Sequence, residues 1–314
     1  MTILLHTTGI DPKPWLAAIE AQAPRSPVIS AMDADRFAEV RQAWVWKPPP
    51  GVLGLLPKLE VIVNLGAGVD AILADTTVPQ HIPIIRAVDP NITMRMTEWV
   101  ALQVLFHHRQ VPTYLAQQRQ GTWRQLPQKA ASALTVGILG LGVLGRSAAK
   151  PLMGLGFRIA GWSRTPKHGL GFDTYHGEAG LGPFLANTDI LVCLLPLTPQ
   201  TIGLINIALL RRLRRTGPLG GGILINGGRG GQQVGADILQ ALGEGTLVGA
   251  SLDVFETEPL PASSPFWSHP KVVITPHVAA DSDPEAMTAY VLEQLARHAA
   301  GQTMDNLVDR NSGY

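Results

Sequence analysis

Apolar runs of strand length alternate with longer segments of helical spacing through most of this chain. In the N-terminal third the strand-like runs are ILLHTT, AWVW, EVIVNLG and IPIIRAV. A second series follows: TVGILG, FRIAGW, DILVCLLP, GILINGG, VGASLDV and KVVITPH. Apolar runs separated by helix-length segments predict α/β architecture with parallel sheets. The segment TEWVALQVLFHH (97–108) is apolar on most sides, which predicts a helix buried against more than one surface. PEAMTAYVLEQLARHAAG (284–301) predicts an amphipathic helix ending at Gly301. KPPPG (47–51) and GPLGGG (217–222) read as turns, and no repeat recurs at a fixed period.

The composition narrows the class. A chain of 314 residues with 46% hydrophobic and 16% charged residues has material for one large or two ordinary domains and no mark of disorder. A net charge of +1 without a basic block argues against a nucleic-acid partner. The single cysteine, Cys193, can form no intrachain disulfide. His107 and His108 are not spaced as metal ligands, so no metal is expected. The N-terminus lacks a signal-peptide pattern and no apolar run reaches the ~20 residues needed to span a bilayer. A cytoplasmic protein without a membrane partner is the expectation.

Every run of the second series ends in distinctive residues: glycines after GILG, Ser-Arg after IAGW, Pro-Leu-Thr-Pro after VCLL, Asn-Gly-Gly-Arg after GILI, Asp after GASL, Pro-His after VVIT. Ligands of open parallel sheets bind outside the carboxyl ends of the strands. Turn chemistry alone accounts for the prolines and some glycines, but less well for the Arg, Asp and His. Gly140, Gly142 and Gly145 satisfy G-x-G-x-x-G between a strand pattern and a helix start, the context of a dinucleotide site. At the position where an acid normally meets the ribose hydroxyls stands Arg164, within Ser163-Arg164-Thr165. A guanidinium matches a 2′-phosphate by charge and geometry, and the two hydroxyls add donors. The expected coenzyme is therefore NADPH, with NADH the weaker alternative.

Arg229, Glu258 and His277 lie too far apart for one helix or loop but fit successive strand ends. They suit carbonyl reduction. Histidine is the residue type that gives a proton near neutral pH. A carboxylate beside the imidazole fixes its tautomer, and an arginine grips a substrate carboxylate and polarises the carbonyl. Glu256 and Glu258 both qualify as the acid; the Glu-Pro register favours Glu258.

GILGLGVLG, LLPLTPQT, LINGGRG, LDVFETEPLP and ITPHVAA together resemble the D-2-hydroxyacid dehydrogenase family. VWKPPP, NLGAGVD, WRQLP around Trp123, WSRT, SPFWSHP and VDRNSGY extend the likeness to its glyoxylate/hydroxypyruvate reductase A branch, over essentially the whole chain. The resemblance implies two doubly wound parallel-sheet domains, a Rossmann-type coenzyme domain (98–283) inserted into a smaller flavodoxin-like substrate domain (1–97 and 284–314). It implies a small 2-oxoacid substrate, a homodimer, and Arg229 orienting substrate while Glu258 partners the acid/base His277. It implies Leu65, Gly66 and Ala67 as the loop whose N–H groups hold the substrate carboxylate, and Trp46 as a pocket wall. Asp253 would hold the nicotinamide carboxamide, and Val143, Leu144, Leu195, Pro196 and Gly228 would also contact the coenzyme. Trp123 would lie near a neighbouring subunit. The chain departs from the family at Gly227-Gly228, where a bulkier residue and an alanine are usual, and in the long GPLGGG turn. Formate dehydrogenase shares the fold but would pair a glutamine with the histidine. A nucleotide-sensing corepressor would not need the catalytic groups.

Overall fold

Strands in the computed structural model run in parallel ladders throughout, as runs buried on both faces require. The structure describes residues 1–66, 68–86 and 90–310. The chain divides into two units, Met1–Ile92 with Asp281–Tyr314, and Thr93–Ala280.

The first unit begins with β1 (Thr2–Thr7), α1 (Lys13–Gln22), β2 (Val28–Ile29), β3 (Val40–Trp46), β4 (Val61–Asn64), the single turn α2 (Asp70–Leu73) and β5 (Ile84–Arg86). Its sheet order, β2-β1-β3-β4-β5, is flavodoxin-like. Leu4, Val45, Ile62 and Ile84 fill one side of it. The tryptophans of β3 differ: Trp44 is fully buried, its indole donating to Gln42 Oε1 at 3.2 Å, while Trp46 at the strand end is half-buried.

The chain then enters α3 (Pro90–His108) and α4 (Val111–Arg119). Helix α3 starts well before the apolar pattern that announces it, because its first turns, NITMRM, carry no continuous apolar stripe. Val100 and Val104 are fully buried, but Leu102 is 56% exposed, so the expected burial on most sides does not hold within this chain.

The second unit continues with β6 (Thr135–Leu139), α5 (Val143–Gly154), β7 (Arg158–Ser163), β8 (Asp173–His176), α6 (Gly177–Ala186), β9 (Ile190–Cys193), the single turn α7 (Ile207–Leu210), β10 (Gly222–Asn226), α8 (Gly235–Gly243), β11 (Leu247–Leu252) and β12 (Val272–Ile274). The order β12-β11-β10-β9-β6-β7-β8 is a Rossmann sheet extended by one strand, with its reversal between β6 and β9. Alternation along β9 shows how both faces are covered. Leu191 and Cys193 join the layer containing Phe184 of α6 and Ile238 of α8. Ile190 and Val192 join the layer containing Val100 of α3 and Leu152 of α5.

The chain returns to the first unit with α9 (Pro284–Ala299), capped by Asp283, whose Oδ1 accepts from the N–H groups of Glu285 and Ala286 at 3.0 and 3.1 Å. Gln22 of α1 donates to the Glu285 carbonyl at 3.0 Å. Past Gly301, Asn306 and Val308 pair with β5 (Arg86 N–H to Asn306 O 3.0 Å, Val308 N–H to Ile84 O 2.9 Å), which covers that open sheet edge.

Candidate active site

The glycine turn joins β6 to α5 at the reversal of the second sheet. Gly140 holds φ +104°, and a Cβ there would meet the Leu194 carbonyl oxygen at 2.8 Å. A Cβ on Gly145 would collide with the Gly140 carbonyl, so its absence lets α5 close onto the turn. At Gly142 a Cβ would meet nothing within 4 Å; the backbone there faces open space. Gly142 is also the N-cap of α5 and offers no side chain to the first-turn N–H groups, Val143 and Leu144 among them. The turn therefore fits a pyrophosphate: a helix N-terminus with its approach left clear.

At the end of β7 the three selector residues separate. Arg164 and Thr165 are exposed, whereas Ser163 is buried and its hydroxyl donates to the Thr165 carbonyl at 2.8 Å. Ser163 thus shapes the loop between Arg164 and Thr165.

His277 follows β12 in the left-handed region, φ +57°. Its backbone N–H donates to the Asp253 carbonyl at 2.8 Å. The Asp253 carboxylate, buried, accepts from Thr275 Oγ1 (2.6 Å) and Val278 N–H (3.0 Å) at one oxygen and from Ala279 N–H (3.0 Å) at the other. The Trp99 indole donates to Thr275 Oγ1 at 3.1 Å. The Asp253 carboxylate, expected to hold a carboxamide of the coenzyme, is turned onto the loop that carries His277, and Oδ2 with its one donor from that loop keeps capacity to accept another. The imidazole Nδ1 lies 2.8 Å from Glu258 Oε2, and Glu258 Oε1 accepts from the Phe255 N–H at 3.1 Å. Both side chains remain partly exposed, at 26% and 22%. The carboxylate holds a proton on Nδ1 and leaves Nε2 as the atom able to exchange one with a ligand. Glu256 faces elsewhere, accepting from the Gly235 N–H at 3.3 Å. The partner of His277 is Glu258, not Glu256, and not the glutamine of the formate dehydrogenase alternative.

Arg229 follows β10 in extended conformation and is half-buried; its Nη1 donates to the Gly228 carbonyl at 2.9 Å. Leu195 and Pro196, after β9, turn both carbonyls to the buried Gln232 side chain, Nε2 donating at 2.7 and 2.9 Å. Gln232, Gln233 and Thr275 escape sequence reading, although a Gln-Gln pair next to Arg-Gly-Gly was the visible signal.

In the first unit, a Cβ on Gly66 would run into the Trp46 ring, so glycine permits their close approach. Asn64 donates to the carbonyls of Gly66 and of Gly68, the latter at 2.9 Å. Leu65 is buried and its N–H donates to the Val45 carbonyl at 2.9 Å. Leu65 therefore lacks the free N–H expected of a carboxylate cradle. Ala67 lies outside the described residues. Trp123, in the second unit, is fully exposed.

A Rossmann sheet with an open glycine turn, and a histidine–carboxylate pair on the same strand-end rim, define the class of pyridine-nucleotide-dependent dehydrogenases. The chain belongs to the D-isomer specific 2-hydroxyacid dehydrogenase family, whose NAD binding domain model matches residues 101–279. It is 38% identical, over the full length of both chains, to glyoxylate/hydroxypyruvate reductase A of Serratia proteamaculans (strain 568). Among solved structures it is similar to the NADPH-dependent glyoxylate/hydroxypyruvate reductase of Sinorhizobium meliloti in complex with NADP and sulfate: 44% identity, TM-score 0.93, covering 100% of this chain and 99% of that one. A D-isomer specific 2-hydroxyacid dehydrogenase from Xanthobacter autotrophicus Py2, in complex with NADPH and MES, aligns with TM-score 0.90 and 40% identity over 99% of each chain.

Proposed function

We propose that the protein reduces small 2-oxoacids with NADPH, glyoxylate to glycolate and hydroxypyruvate to D-glycerate. The observation that carries the reading is the 2.8 Å contact between His277 Nδ1 and Glu258 Oε2 at the carboxyl edge of the sheet whose glycine turn fits a dinucleotide. The coenzyme, when bound, supplies the hydride that the carbonyl carbon accepts. The chain supplies the rest. His277 Nε2 gives the proton that the developing alkoxide takes up, and Glu258 keeps the ring in the tautomer and orientation for it. Arg229 binds the substrate carboxylate and polarises the carbonyl. Asp253 fixes the loop that holds His277. The N–H groups at the start of α5 would hold the pyrophosphate, and Arg164 with Thr165 the 2′-phosphate. The first unit is read as the substrate domain, with Trp46 and Gly66 as its contacts.

Similar proteins support the substrate and coenzyme classes: the relative from Serratia is a glyoxylate/hydroxypyruvate reductase A, and that from Sinorhizobium an NADPH-dependent glyoxylate/hydroxypyruvate reductase. The same reading takes the protein to be a cytoplasmic homodimer without a nucleic-acid partner. Exposed Leu102 and Trp123 support a covered face in a dimer, which sedimentation would test. The test of the function is a steady-state matrix of glyoxylate, hydroxypyruvate, pyruvate and phenylpyruvate against NADPH and NADH. Highest kcat/KM is expected for glyoxylate and hydroxypyruvate with NADPH. Tight NADPH binding without turnover of any of the four would refute it.

A further inference from the structure

The segment after Arg229 buries two consecutive glutamines, Gln232 fully and Gln233 at 2% exposure. A buried carboxamide is costly unless its donors and acceptor are all engaged, and both are engaged here. Gln232 Oε1 accepts from the Arg229 N–H at 2.9 Å and faces the Cys193 thiol at 3.4 Å. Burial pushes that thiol up to about 12, so it stays protonated and remains a donor. Gln232 Nε2 donates to the carbonyls of Leu195 and Pro196. With two carbonyls on one side and an amide N–H on the other, only this orientation of the carboxamide satisfies the site. Gln233 Oε1 accepts from Asn226 Nδ2 at 2.8 Å, and its Nε2 donates to the Val254 carbonyl at 3.0 Å. Asn226 Oδ1 in turn accepts from the Gly228 N–H at 3.0 Å.

We infer that Gln232 and Gln233 are positioning residues for Arg229, fixing its loop to the ends of β9 and β11 through two sets of buried amide contacts that meet at the loop backbone. The N–H of Arg229 is held by Gln232, and the N–H of Gly228 by Asn226, which Gln233 holds in place. The loop is thereby tied on one side to Leu195 and Pro196. On the other it is tied to Val254, next to the Phe255 N–H that Glu258 engages. Gly228 lies against the same carboxamide. A Cβ there would collide with Gln232 Oε1, so glycine at 228 and glutamine at 232 are a matched pair. This inference rests on Arg229 being the residue that binds the substrate carboxylate.

The experiment measures KM for glyoxylate, kcat, NADPH affinity by fluorescence and thermal midpoint in Gln232→Leu, Gly228→Ala, Gln232→Ala, the double variant Gly228→Ala/Gln232→Ala, and Arg229→Gln. Displacing a positioned group by about 1 Å can cost on the order of 100-fold. Gln232→Leu is therefore expected to raise KM for glyoxylate by ~10-fold or more. Gly228→Ala removes no polar group and should raise KM similarly, which keeps the test available if Gln232→Leu does not fold. If both act through one carboxamide, Gly228→Ala adds little once Gln232 is already alanine. A lower thermal midpoint with unchanged KM in Gln232→Leu and Gly228→Ala overturns the proposal, as do effects of Gly228→Ala and Gln232→Ala that simply multiply. If KM rises in Arg229→Gln but in neither neighbour, only the positioning proposal fails. If KM is unchanged in Arg229→Gln itself, the reading of Arg229 fails, and the proposal with it.

Discussion

Replacing Glu258 by glutamine keeps shape and volume and removes one charge, and the surrounding contacts determine the consequence. In the native site Oε2 faces His277 Nδ1 at 2.8 Å and Oε1 accepts from the Phe255 N–H at 3.1 Å. A glutamine has one acceptor oxygen for these two donors. If the oxygen stays on Phe255, the amide NH₂ faces Nδ1, and the ring can keep that contact only with Nδ1 bare. The doubly protonated ring that must give a proton then loses its acceptor. If the oxygen turns to His277, the NH₂ opposes the Phe255 N–H. Losing a hydrogen bond to a charged group costs ~1.5–3 kcal/mol, which is roughly 10- to 150-fold in rate. The expected result for Glu258→Gln is thus a fall in kcat of about 100-fold with glyoxylate and NADPH, with NADPH affinity unchanged by fluorescence titration. Glu256→Gln is the internal control. Among the described residues its carboxylate makes only the 3.3 Å contact to the Gly235 N–H, and the substitution should leave kcat within about 2-fold. Equal losses in the two variants, or wild-type kcat in Glu258→Gln, would refute the assignment.

Arg164→Asp should raise KM for NADPH by roughly 100-fold through loss of a charge-assisted contact and added repulsion, while sparing NADH; an unchanged preference in steady-state kinetics removes Arg164 as selector. Asp253→Asn places an NH₂ against one of three donors in the loop that carries His277, so a melting experiment should report a loss of about 1–3 kcal/mol and kcat should fall with it. His107 is buried, with Nε2 on Ser251 Oγ at 2.9 Å, and burial pushes its pKa down to about 4. The unfolded chain takes up that proton from the ordinary histidine value downward, while the folded chain resists until about pH 4. This contribution is full above the ordinary value and falls by about 3 kcal/mol as pH drops through the window. The stability of wild type relative to His107→Gln, taken from urea midpoints, should fall as pH drops through the window; parallel curves would contradict the assignment.

The strands of the second sheet were legible because parallel strands covered on both faces read as continuous apolar runs, and GILG, LVCLL and GILIN do. Strand β8, DTYH, was not legible: it lies at the sheet edge, half-buried or exposed, and carries no apolar signature. The start of α3 was hidden for a related reason, since polar NITMRM has no stripe to read. Within the site, residue types at strand ends announced Arg229, Glu258 and His277, because their chemistry is conspicuous even in one sequence. How a polar group is engaged was not legible, because its partners lie far away in the chain. The Asp253 carboxylate turned onto residues 275–279, the Leu65 N–H given to Val45, and the Gln232 carboxamide bridging to Leu195 all depend on neighbours that only the fold assembles.

The most direct measurement of the central claim mixes the NADPH complex with glyoxylate and follows NADPH absorbance, in wild type and in His277→Gln. The account predicts rapid NADPH loss with glycolate formed in equal amount by wild type. It predicts equal NADPH affinity but turnover lower by ~1,000-fold in the variant, within the range general acid catalysis supplies. Wild-type turnover in His277→Gln, or no NADPH consumption by wild type, would contradict it.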